Sequence, residues 1–197
     1  MKHRASLLIV LFLSIIPFVL CSCGLNLPKE YLLKDISVLM DDIVGKDQKD
    51  AVTTLEDKLS IKLEQKDVDK ANDQYTYIYQ ASESISVNDV LINTIEMVSD
   101  GKNGPVTTIK LISEEITSYE AEQYYQNYND LLSQVYDKEA AIAAVDTPFV
   151  DKNNEEPFFY STSYSTETDN MIYVQYTNED PFCSFWVMCA GKPNDSE

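Results

Sequence analysis

Apolar residues recur along this chain with two different periods, and the switches between them mark out its elements. Leu32, Ile36, Leu39, Met40 and Ile43 stand at offsets 0, 4, 7, 8 and 11, the stripe of an α-helix, and Gly45 supplies a stop. Asp47 is a good N-cap for a second helix reaching about Leu59, with Val52, Leu55 and Leu59 in line and Ala51 beside them. The period then changes. Residues 74–80 put Tyr75, Tyr77 and Tyr79 on one face of a strand, with Thr76 and Ile78 on the other. Residues 87–98 fit a helix or a strand by spacing. Their β-branched content and the turn cluster Asp100-Gly101-Lys102-Asn103-Gly104-Pro105 favour a hairpin returning over residues 106–112.

Residues 114–136 return to helix, with Tyr124, Tyr128, Leu131, Leu132 and Val135 in the same stripe. Beyond an Ala-rich stretch at 140–145, three strand-like runs follow at 158–165, 171–177 and 182–190. Short, turn-rich connections join them, which predicts an antiparallel meander. The last run is apolar on both faces and belongs in the middle of its sheet. The fold class is therefore α+β, with helices packed on antiparallel sheet. The helix-plus-meander order occurs twice, at 47–113 and 115–190, with no residue-level repetition to mark a duplication. Residues 23–46 read as tether and N-terminal helix, 47–190 as the globular domain and 191–197 as a frayed tail.

Lys2, His3 and Arg4 precede an apolar run from Leu7 to Leu20, about 14 residues and short of the roughly 20 needed to span a bilayer. This is the layout of a secretion signal. The sequence after it, Leu20-Cys21-Ser22-Cys23-Gly24, resembles a bacterial lipobox with Cys23 as the residue that becomes lipidated. The resemblance implies a signal peptide over residues 1–22 and a mature protein anchored extracytoplasmically through an acylated Cys23. Loss of Lys2 and Arg4 with that leader moves the formal charge from −18 to −20 and removes His3, the single histidine. So acidic a domain projects from its tether rather than lying flat on an anionic leaflet.

The same acidity disfavours nucleic acid as a partner, since phosphate binding needs clustered Lys and Arg. Without a mature histidine, Ser-His-Asp and Cys-His catalysis and HExxH zinc sites are excluded. Ser99-Asp100-Gly101-Lys102 matches S-x-x-K, but it falls in a hairpin turn and lacks a KTG partner. Glu114/Glu115 and Glu155/Glu156 offer carboxylate pairs of the sort a glycosidase uses, and with 33 acidic residues such neighbours arise by chance. Asp151-x-Asn153-x-Glu155 lacks the glycine and final glutamate of a calcium loop. Neither a metal nor a cofactor is expected. Cys183 and Cys189 lie six residues apart on one strand face, about 20 Å, beyond disulfide reach, and read as small core residues.

The 13 tyrosines remain. Tyr75, Tyr77 and Tyr79 on a strand, with Tyr124, Tyr125 and Tyr128 on a helix, form the candidate binding surface, because tyrosine supplies contact area and a polar handle together. Ile43-Val44-Gly45-Lys46, Asp50-Ala51 and Leu55-Glu56 resemble the opening of a PASTA module over about 20 residues, without its later Pro-x-x-Gly turn. In layout the chain is similar to small envelope lipoproteins of the SmpA/BLIP-like type. The expected function is a non-catalytic, lipid-anchored binding domain that touches the membrane through its lipid and engages a protein or envelope partner. The alternative is a carboxylate-dependent hydrolase acting on cell-wall glycans.

Overall fold

A computed structural model describes residues 27–144, 159–177 and 183–191. The leader, Cys23, Glu155/Glu156 and the 151–155 motif lie outside them. The chain is a mixed α+β protein, mostly antiparallel sheet. In chain order the elements are β1 (Lys29–Tyr31), α1 (Leu33–Ile43), α2 (Gln48–Leu59), β2 (Leu63–Ala71), β3 (Gln74–Ala81), β4 (Ile85–Val87), β5 (Val90–Ile92), β6 (Thr94–Asp100), β7 (Val106–Ile116), α3 (Ser118–Leu132), β8 (Asp137–Ala144), β9 (Phe159–Ser165), β10 (Met171–Thr177) and β11 (Cys183–Ala190). One sheet has the order β1-β4-β5, with β1 parallel to β4. The other has eight strands, β2-β3-β6-β7-β11-β10-β9-β8, every neighbouring pair antiparallel.

The helices follow their stripes in the middle and depart at the ends: Leu32 is an exposed N-cap with Leu33 buried in its place, and Val135 is exposed beyond the end of α3. On α1, Leu33, Ile36, Met40 and Ile43 are buried. Leu32 at the N-cap offers no oxygen, so Asn88 caps from a distance, its Oδ1 accepting from the Leu33 N–H at 2.5 Å. Gly45 ends the run at φ +92°, which a Cβ would resist, and its N–H reaches the Val106 carbonyl at 2.8 Å. The four α1 side chains join one core cluster with α2, α3 and the strands, so α1 is part of the body. Thr117 and Glu120 form a reciprocal capping box at the start of α3.

Two-residue turns reshape the middle of the chain. The segment at 87–98 is cut into β4, β5 and the start of β6, because Asn88 and Asp89 both have positive φ (44° and 67°) and reverse the chain in a tight hairpin. Asn72 and Asp73 (49° and 65°) do the same between β3 and a strand the hydrophobic pattern does not announce, β2. β2 is the sheet edge, exposed along nearly its whole length and rich in Lys, Asp and Glu, a composition that discourages edge-to-edge association. The 101–105 loop closes the β6–β7 hairpin as expected. Gly104 is obligatory there, since a Cβ would stand 1.9 Å from the Asp100 carbonyl oxygen. The Ala-rich stretch becomes β8, paired with β9. The meander β9-β10-β11 is present, and β11 joins the two halves of the sheet by pairing with β7.

Candidate functional site

Six strands of the large sheet, β3, β6, β7, β11, β10 and β9, present one face to the core. Across it runs the row Tyr79, Ile95, Leu111, Val187, Val174 and Thr162, with a second row of Tyr77, Met97, Ile109, Cys189, Ile172 and Tyr164. All twelve are buried. Helix side chains bond to this inner face. Gln48 donates to the Tyr79 hydroxyl, Tyr125 and Thr162 share a hydrogen bond at 2.5 Å, and the Tyr164 hydroxyl donates to Asn129 Oδ1 at 2.6 Å. The Tyr128 ring meets Phe185 edge-on at 4.8 Å between centroids, and its hydroxyl donates to the Val87 carbonyl at 2.6 Å.

The six tyrosines read as a binding surface therefore divide. Tyr77, Tyr79 and Tyr128 are 4%, 3% and 0% exposed, so a partner cannot reach them in the folded protein, a correction to the expected surface. Tyr75, Tyr124 and Tyr125 are half-buried against the same core. Tyr75, Tyr77 and Tyr79 stack along β3, and the Tyr77 hydroxyl accepts from the Asn103 N–H at 3.0 Å. Burial raises the pKa of Tyr128 and Tyr176 well above the ordinary phenol value and that of Tyr164 to about 12. Cys183 and Cys189 are buried thiols on the same face, and burial, then the charge of Asp41, push Cys189 up to about 12. Neither is placed for thiolate chemistry.

The opposite face is different. Trp186 stands beside Ile112 on β7 and Gln175 on β10, and Gln175 stands beside Ser161 on β9. The indole Nε1–H donates to Gln175 Oε1 at 2.6 Å, while Gln175 Nε2 donates to Ser161 Oγ at 2.9 Å. Phe159 leans against the indole with centroids 6.0 Å apart. In the adjoining row Met188 lies between Tyr173 and Lys110, which pairs with Glu96 at 3.1 Å. Trp186, Met188, Tyr173 and Phe159 are all half-buried, while Ile112 and Ser161 of the same row are buried. The amide and hydroxyl chain fixes the single tryptophan on a mostly uncharged patch of an otherwise strongly acidic protein. The alternation in residues 182–190 carried this signal, since Trp186 and Met188 take the opposite parity to Phe185 and Val187.

The remaining chemical motifs resolve locally. Ser99 is buried and donates to the Gly101 carbonyl within the hairpin turn, which leaves S-x-x-K as turn chemistry. Glu114 accepts from the Thr94 hydroxyl at 2.9 Å, and Glu115 is held at φ +58°. Asp41 is the most engaged carboxylate. Its Oδ1 accepts from Thr166 (2.9 Å), Thr168 (2.6 Å) and Asn170 (2.8 Å), which pins the β9–β10 turn to α1. Among the described residues no group of three or more His, Cys, Asp or Glu side chains is placed to hold a metal ion, and no helix is long and apolar enough to cross a membrane. Set beside known proteins, the chain matches no protein-family model, no curated protein and no solved structure.

Proposed function

We propose that this chain is a non-catalytic, lipid-anchored extracytoplasmic domain of the bacterial cell envelope that holds a protein or another envelope component against the outer face of its large sheet. One observation carries the reading: an aromatic and thioether patch, half-buried with part of each side chain reaching solvent, built around a tryptophan whose orientation is already fixed by Gln175 and Ser161. Rigid aromatic side chains of this kind give contact area at little entropic cost, and their enrichment marks interaction surfaces. The patch offers aromatic, thioether, amide and hydroxyl groups, the chemistry of contact rather than of paired acid and base. The lipobox-like Leu20-Cys21-Ser22-Cys23 supports the anchor.

The finer fold reading stands with this proposal. Three helices cover one face of the sheet: Gln48 of α2 and Tyr125 and Asn129 of α3 bond to inner-face residues, and α1 lies against β7 and β11. The helix-plus-meander unit occurs twice, since β2-β3-β6-β7 and β8-β9-β10-β11 each run from an edge to the centre.

The test separates anchor from surface. Palmitate labelling and fractionation of Cys23→Ala address the first, and a mutant that still takes label or stays with membranes overturns it. For the second, a photo-crosslinker at Tyr173 in the anchored protein is expected to give an envelope adduct that disappears on Trp186→Ala. An adduct unchanged by that substitution overturns the assignment of the face.

A further inference from the structure

A second surface lies at the other functional end of the molecule, where the chain leaves its leader. Leu27, Leu32, Val38 and Val135 are the most exposed apolar side chains of this region, at 78%, 59%, 56% and 41%. Three of them are contiguous. Leu32 and Val135 line one cleft with Leu131 and Lys34, and Val38 and Val135 line a second of about 490 Å³ with Tyr136 and Lys34. Val38 also lines a third cleft, between α1 and the end of α2. Leu27 lies five residues before Leu32, joined to it through the short strand β1. Leu32, Val135 and Val38 thus form an apolar strip along the outer side of α1, with Leu27 exposed on the other side of β1 from it in the chain.

The length of the connecting chain decides what meets this surface. Five residues separate Cys23 from Lys29, the first residue of β1, so a fully extended chain spans at most about 20 Å between them. A domain held so closely has one end at the headgroup layer whichever way it tilts. That end is the one with exposed leucine and valine side chains. We infer that Leu27, Leu32, Val38 and Val135 seat the domain on the lipid surface to which it is tethered, an inference that rests on the lipid-anchored reading. Apolar side chains entering the interface add to the anchor's affinity, and the single-point tether becomes a fixed orientation. Asp35, Asp41, Asp42 and Glu167 ring the same clefts against Lys34 and Lys58, so the seat suits zwitterionic headgroups and is repelled by anionic ones. The domain stands on this end, and the Trp186 face is left to a partner.

The experiment uses the full-length acylated protein in phosphatidylcholine vesicles carrying a spin label near the headgroup. A fluorophore is attached at Leu32→Cys or Val38→Cys, the native Cys183 and Cys189 being buried. The reference is Lys70→Cys, seven residues and about 23 Å along β2 from its end nearest β1. Lipid-borne quenching is expected at positions 32 and 38 and absent at 70, and replacing part of the lipid with phosphatidylglycerol weakens it. Equal quenching at all three positions, with the protein still sedimenting with vesicles, overturns the seat and leaves the anchor intact. Shielding of 32 and 38 from aqueous iodide without lipid quenching means that a second copy or another protein covers the surface, and also overturns it. Failure to sediment ends the anchored reading and the seat together.

Discussion

The two faces of the large sheet are written in the same residues of the same strands, and they have opposite fates. On β11, Cys183, Phe185, Val187 and Cys189 are 1%, 0%, 0% and 0% exposed, while Ser184, Trp186, Met188 and Ala190 between them keep contact with solvent. Hydrophobicity does not distinguish the sets, since Trp186 and Met188 are as apolar as their neighbours. The difference lies in what stands opposite. Phe185 meets Tyr124 and Tyr128 from α3, whereas Trp186 meets Phe159 of its own sheet and an amide that fixes its indole. Apolar character places a side chain in a sheet, and the neighbouring layer decides whether it becomes core or contact surface.

The largest test of that distinction is truncation at adjacent positions. Phe185→Ala opens a cavity between helix and sheet and is expected to cost about 3–5 kcal/mol in denaturant unfolding. Trp186→Ala is expected to cost about 1–2 kcal/mol, because solvent already reaches the ring and Gln175 can turn to water. Equal losses at the two positions would break the comparison. A smaller change probes the layer itself. Tyr128→Phe keeps the ring against Phe185 but leaves the Val87 carbonyl without its hydroxyl donor, at a cost of about 1–3 kcal/mol.

The smallest effect at neutral pH is the inner-face tyrosines' response to alkali. Tyr128, Tyr164 and Tyr176 hold their protons more tightly in the folded protein than the unfolded phenol value of about 10. The folded state therefore binds more protons above that point. Stability is flat below pH about 10 and falls as pH rises beyond it, lost by the time the folded groups titrate. Melting temperature followed with phenolate absorbance should show ionisation of these rings together with unfolding. Early, non-cooperative ionisation of all 13 tyrosines would contradict the burial of the inner face.

Much of this architecture is legible in the sequence where a residue reports on its own burial. Ile36, Met40 and Ile43 mark α1 because one helix face must leave water, whereas Leu32, in line with them by spacing, is the exposed N-cap and Leu33 takes the buried place. The alternation in 171–177 marks β10 for the same reason, and the run at 182–190, apolar on both parities, marks a central strand, β11. β2 is silent because an edge strand of Glu, Gln, Lys and Asp contacts little core. The signal for it sits in Asn72-Asp73, two residues that tolerate left-handed backbone and turn the chain. Asn88-Asp89 is the same signal, and it divides a segment whose β-branched content reads as continuous strand. β8 passes unrecognised because alanine favours no strand. The tyrosines teach most about the site. Period two places Tyr75, Tyr77 and Tyr79 together, but only the layer beyond them, with Gln48 at Tyr79, tells which way they face.

The pairing of β7 with β11 has a consequence for how the molecule is made. β11, in the middle of the sheet, is the last of the described strands to be synthesised, and its neighbour β7 precedes it by more than sixty residues. No nascent fragment that lacks β11 can complete the core, and closing so long a loop is slow compared with forming the hairpins on either side. The core of the large sheet therefore closes only once β11 has emerged beside β7.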